Sequence, residues 1–69
     1  MEVTKTSRGF SVIEFKDRYG VECTIQKSSL ATEEAIWFGY KNNRMHLTQD
    51  QVKELLPILQ RFVETGEIE

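Results

Sequence analysis

Apolar and polar residues alternate along the first two thirds of the chain and then switch to a helical period. Phe10 to Lys16 reads as a strand, with Ser11, Ile13 and Phe15 on one side and Phe10, Val12 and Glu14 on the other. Asp17-Arg18-Tyr19-Gly20 interrupts it. Asp at the start and Gly at the end predict a type I turn closing a hairpin with a bulge. Val21 to Lys27 forms the second strand, with Val21, Cys23 and Ile25 opposite Glu22, Thr24 and Gln26. A polar loop, Ser28 to Glu34, leads into Ala35 to Tyr40. That third strand is the one on which the rest of the sheet is expected to assemble. Ile36, Phe38 and Tyr40 lie on one face of it, and Ala35, Trp37 and Gly39 on the other.

Lys41 to Arg44 is expected to turn the chain, with the paired Asn residues tolerating positive φ at the tip. Met45 to Leu47 is a short fourth strand, with His46 facing away from its two neighbours. Thr48 and Gln51 have the spacing of a helix capping box, and Asp50 suits the positive end of a helix dipole. Val52, Leu55, Leu56, Leu59, Phe62 and Val63 then recur as one wide apolar stripe, which Ile58 widens. The helix is predicted from Gln49 to Thr65, stopped by Gly66 and bent by Pro57.

The sum is an α+β domain: a small antiparallel sheet in β-β-β-β-α order, with one C-terminal helix packed on one face. Residues 1–8 read as a flexible tail or edge strand, 9–66 as one domain, and 67–69 as a frayed end. One helix covers one side of a sheet. The other side of Ala35 to Tyr40 must meet water, a ligand or another chain.

Length makes that question sharper. A 69-residue chain buries a small share of its surface, and a single core of this size supplies only about 3–5 kcal/mol. Cys23 and His46 are each the only residue of their type, so neither an internal disulfide nor a four-ligand zinc site is available to help. A homodimer or higher homo-oligomer is expected instead. The lone thiol, the lack of a signal-peptide pattern and the lack of an apolar run of about 20 residues predict a cytoplasmic protein that crosses no membrane.

Net charge is −2, with five basic and four acidic residues in 1–31 against four and seven in 32–69. That balance disfavours a general nucleic-acid binder. It leaves open a local basic strip.

Chemistry is sparse. Cys23 and His46 are expected on opposite faces, out of hydrogen-bond reach as a nucleophile and base. Glu33 and Glu34 sit in a polar loop, the four glycines are isolated, and no metal-ligand spacing occurs. No enzyme, metal or cofactor is expected. Binding is better supplied. Trp37, Tyr40, Tyr19, Arg18 and Arg44 are the candidate anchors for a protein partner, being aromatic or Arg. Arg8, Lys16, Arg18, Lys27 and Arg44, with Gln26, Ser28 and Ser29, are the candidate set for an anionic nucleotide at a subunit junction.

Several segments together resemble a known group of sequences. They are Phe15-Lys16-Asp17-Arg18-Tyr19-Gly20, Gln26 to Ala31, Ile36 to Gly39, Arg44 to Thr48, Leu55-Leu56-Pro57 and Phe62 to Gly66. This pattern, with Cys23, is similar to a family of small proteins found in phages and prophage regions. The resemblance brings no catalytic residues. It implies a bacterial host cytoplasm and action by binding a host component, including defence machinery such as CRISPR effectors or nucleotide-signalling systems. The leading expectation is a stoichiometric inhibitor of that kind. A nucleotide-sequestering protein comes second, and an RNA- or single-stranded-DNA-binding module third.

Overall fold

A computed structural model describes residues Met1–Glu69. Five strands form one antiparallel sheet in sequence order: β1 (Val3–Lys5), β2 (Ser11–Lys16), β3 (Glu22–Lys27), β4 (Ala35–Tyr40) and β5 (Asn43–Thr48). The helix α1 follows at Gln49–Thr65. The α+β class and the strand-then-helix order agree with the sequence. The strand count is five rather than four, because Val3–Lys5 pairs with β2 through Val3 opposite Ile13 and Lys5 opposite Ser11.

The two N-terminal turns share one chemistry. Asp17 Oδ1 accepts the Tyr19 and Val21 amides at 2.8 and 3.0 Å, and Gly20 takes φ +82°. Thr6 does the same for the β1–β2 turn: its hydroxyl accepts the Phe10 amide at 3.1 Å, and Gly9 takes φ +88°. Each turn therefore has an oxygen-bearing side chain four residues before the amide it caps and a glycine in the left-handed region.

The β4–β5 connection departs from expectation. Tyr40 pairs directly with Asn43, so only Lys41 and Asn42 are left to turn the chain. No residue other than glycine has positive φ, so the Asn pair does not play the predicted part. Gly39 takes the unusual conformation instead, at φ +144°. A Cβ there would meet the Asn43 carbonyl oxygen at 3.1 Å and Arg44 Cα at 3.3 Å. Pairing with Asn43 at once also lengthens β5 to six residues, where three were predicted.

The helix begins and ends as its sequence dictates. Thr48 Oγ1 accepts the Gln51 amide at 3.1 Å, and Gln51 Oε1 accepts the Thr48 amide at 2.9 Å. Gly66, at φ 78°, donates its amide to the Phe62 carbonyl at 2.8 Å. Pro57 lies inside a helix that continues through it.

Its packing is the main correction to the expected architecture. The helix does not cover a sheet face; it continues directly from the end of β5, and none of its residues is buried. Thr48 is both the last residue of β5 and the helix N-cap, so no loop exists to fold the helix back. The Gln49 amide also bonds the Glu34 carbonyl at 3.0 Å, which ties the first turn to the segment before β4. Val52 is half-buried and lines a hollow of about 270 Å³ with Ile36 and Leu47 at one corner of the sheet. Beyond that corner the stripe is bare: Leu56 is 61% exposed and Phe62 54%.

Register sorts the sheet into two unlike faces. Ile13, Phe15, Cys23, Ile25, Ile36, Phe38, Tyr40, Met45 and Leu47 share one face. Phe15 and Phe38 meet there edge to face, with centroids 6.3 Å apart. Val12, Glu14, Thr24, Gln26, Ala35, Trp37, Gly39, Arg44 and His46 share the other.

Candidate functional site

The second, more polar face carries a connected group of side chains centred on Trp37. On β4, Trp37 stands between two small residues of the same face, Ala35 and Gly39. These gaps let long side chains of β5 cross β4 and reach β3. Arg44 lies opposite Gly39 and donates from Nη1 to Gln26 Oε1 at 2.9 Å. Its guanidinium also sits 5.3 Å from the Trp37 ring centroid, a cation–π distance. His46 lies opposite Trp37 and stacks on it, with centroids 3.9 Å apart and planes 7° apart. Its Nε2 is 2.9 Å from Ser28 Oγ, past Ala35. Ser28 Oγ also accepts the Leu30 amide at 3.1 Å, which holds the start of the loop. The space that Gly39 leaves beside Trp37 is thus occupied in part by the protein's own Arg44.

Two hollows flank this group and share Thr6 and Gln26. One, of about 360 Å³, is lined by Thr4, Lys5, Thr6, Val12, Glu14, Thr24, Gln26, Lys41 and Arg44. The other, of about 260 Å³, is lined by Thr6, Ser7, Arg8, Phe10, Gln26, Lys27, Ser29 and Trp37. The side chains around them include the cations Arg8, Lys41 and Arg44 and the carboxylate Glu14. Lys5 and Lys27 also border them, but register places those two side chains on the apolar face, where Lys5 Nζ donates to Ser11 Oγ at 2.9 Å. Lys27 is paired with Glu34, and Lys41 is 3.9 Å from Glu22. Arg8 and Arg44 instead lie over aromatic rings, Arg8 at 5.9 Å from Phe10. Thr24 forms part of the floor of the first hollow. It is 6% exposed, and its hydroxyl is the one buried side-chain polar atom without a hydrogen-bond partner.

The candidate residues divide accordingly. Trp37 and Arg44 come together. Of the nucleotide set, Arg8, Gln26, Lys27 and Ser29 line one hollow with Trp37, and Ser28 is buried beneath His46. Lys16 and Arg18 lie elsewhere, at the far end of β2 and in the β2–β3 turn. Tyr40, Tyr19 and Arg18 form a separate corner. There Tyr40 is on the apolar face and donates its hydroxyl to Asp17 Oδ2 at 3.3 Å, while Tyr19 is 86% exposed. His46, Thr24 and Phe10 were not among the candidates. Their parity along the strands places them beside Trp37, but only the cross-strand register shows which side chains touch.

Electrostatics are perturbed at that corner. The Val21 amide, against an opposing desolvation second only to it, and then the Tyr19 amide, the Tyr40 hydroxyl and the Gly20 amide hold the Asp17 carboxyl below its ordinary range. The Asp17 charge in turn pushes the Tyr40 phenol up. Cys23 is buried on the apolar face, on the opposite side of the sheet from His46. No three of the His, Cys, Asp and Glu side chains gather as a metal site would require. No helix is long and apolar enough to cross a membrane.

Compared with models of protein families, with curated proteins and with solved structures, the chain matches none.

Proposed function

We propose that this protein is a non-enzymatic binding module that acts by occupancy. Its ligand is a nucleotide unit, a base with its phosphate, taken on the polar sheet face. The observation that carries this reading is the segregation of charge. A chain of net charge −2 places three cations, Arg8, Lys41 and Arg44, with one carboxylate, Trp37 and Phe10 around two adjoining hollows of that face. The acid responsible for the negative total lies largely beyond the sheet, where residues 49–69 carry five acidic and two basic side chains. Aromatic rings beside a cationic groove suit bases and phosphates. Arg44 offers its fork to an anion.

A mononucleotide and a single strand present the same chemistry. Trp37 is the only tryptophan, so its emission reports binding directly. The titration uses a thymidine 12-mer, a uridine 12-mer, the corresponding mononucleotides, and inorganic triphosphate as a charge-only control. Quenching by the strands, with affinity falling as salt rises, supports strand binding. Quenching by mononucleotides at comparable affinity supports sequestration. Emission unchanged by every nucleotide at low salt, or binding of triphosphate alone, overturns the reading.

A second reading has its own support. Arg44 over Trp37 is a typical anchor of a protein interface. On that reading the same face blocks a host or bacterial-defence protein, as the phage-type resemblance suggests. It gains ground if the nucleotide titration is blank and Trp37→Ala abolishes inhibition of a purified defence complex.

A further inference from the structure

We infer that the apolar sheet face and the helix stripe are covered by a second copy of this chain, in a two-fold dimer where each helix lies across the other copy's sheet. The inference does not depend on the ligand proposed for the opposite face.

Area is the first argument. A folded monomer of 8.1 kDa is expected to expose about 4,500 Å², whereas this chain exposes 5,935 Å². The surplus is roughly 1,400 Å² per chain, or about 2,800 Å² for two, which falls within the range of obligate dimers. Only five of the 69 residues are buried and no large side chain is fully enclosed, so the single chain lacks a closed core.

Geometry is the second. Both exposed surfaces belong to this one chain and complement each other in kind: a flat apolar sheet face and an apolar helical stripe. The face measures about 20 Å along its strands and about 14 Å from β2 to β5. A 17-residue helix is about 26 Å long, enough to cross it diagonally. The helix cannot fold back to its own sheet, because β5 runs into it through Thr48 with no loop. A two-fold axis satisfies both copies at once, each helix reaching the face the other leaves open.

Charge is the third. Residues 49–69 carry a net acidic excess, whereas residues 1–48 hold seven basic and six acidic side chains. By register the strands' apolar face carries Lys5 and Lys27 and no carboxylate, so each acidic helix would meet a face of opposite sign. The arrangement leaves Trp37 and its hollows facing outward on both copies.

The test combines mass with placement of the helix. Native mass measurement of the intact chain should give twice 8.1 kDa, and the thermal midpoint should rise with protein concentration. A benzophenone amino acid at Phe62, in a mixture of isotopically light and heavy chains, should crosslink to Ile13–Phe15 or Phe38–Met45 in light–heavy pairs. Leu59→Glu with Phe62→Glu should abolish both the dimer mass and the concentration dependence. A monomeric native chain with a concentration-independent midpoint overturns the inference. So does a dimer that survives the two helix substitutions, or crosslinks confined to a chain's own sheet.

Discussion

Arg44 crosses a whole strand to reach Gln26. It stands on β5, its partner on β3, and the strand between them offers only Gly39 at that register position. One glycine thus serves two ends. It lets β5 turn back at once, and it leaves the path along which the guanidinium lies beside Trp37.

Gly39→Ala should therefore damage both fold and site. The added Cβ would press on the backbone of Asn43 and Arg44, and φ +144° is costly for any side chain. A loss of about 1–3 kcal/mol is expected, read as a lower urea midpoint. Retention of full stability would contradict the close backbone approach.

Thr24→Val removes the unpartnered hydroxyl while keeping the shape of the side chain. A buried hydroxyl without a partner opposes folding. Stability should hold or rise. A variant that is clearly less stable would show that the hydroxyl is satisfied in the folded protein.

Trp37→Leu should weaken nucleotide binding by about 1–3 kcal/mol, the usual worth of one stacked base. Because this variant loses the fluorophore, calorimetry is the appropriate readout. Arg44→Lys keeps the charge but loses the fork. It should bind less tightly than wild type while retaining a similar salt dependence.

Much of this was legible in the sequence, and the exceptions have physical causes. The Asp17–Gly20 turn, the Thr48–Gln51 box and the Gly66 stop are local chemistry, so short stretches of sequence suffice to read them. The Thr6–Gly9 turn carries the same signal as Asp17–Gly20 and was readable by that comparison. The strand Val3–Lys5 was weaker, since its one apolar residue shows little alternation and pairing with β2 defines it. The Arg44–Gln26 and His46–Ser28 contacts depend on register between strands far apart in sequence. The helix standing clear of the sheet follows from a missing loop after Leu47, which an apolar stripe alone does not reveal.

Acid should loosen the β2–β3 turn. The depressed Asp17 carboxyl stabilises the fold above its unfolded pKa of about 4, and that contribution is lost as pH falls through the lower folded value. The raised Tyr40 phenol acts in the opposite range: its contribution is complete below about pH 10 and is lost as pH rises through the folded value. The thermal midpoint of wild type should exceed that of Asp17→Asn at pH 7, and the gap should close in strong acid. A gap that persists at pH 2 would contradict the assigned role of the charge.

Thr48→Ala removes half of the capping box and should cost about 1 kcal/mol. In a domain of this size that corresponds to a midpoint lower by about 4–8 °C. Circular dichroism melting checks it.

The central claim is that the polar face binds the ligand while the opposite face does not. Nuclear magnetic resonance on labelled protein, titrated with the thymidine 12-mer, reads both faces together. The Trp37 indole, the Gln26 side-chain amide and the Arg44 Nε signals should move to saturation while the methyls of Ile13, Ile36 and Leu47 stay still. Movement of those methyls with the Trp37 indole unshifted, or no movement anywhere at millimolar strand, would contradict it.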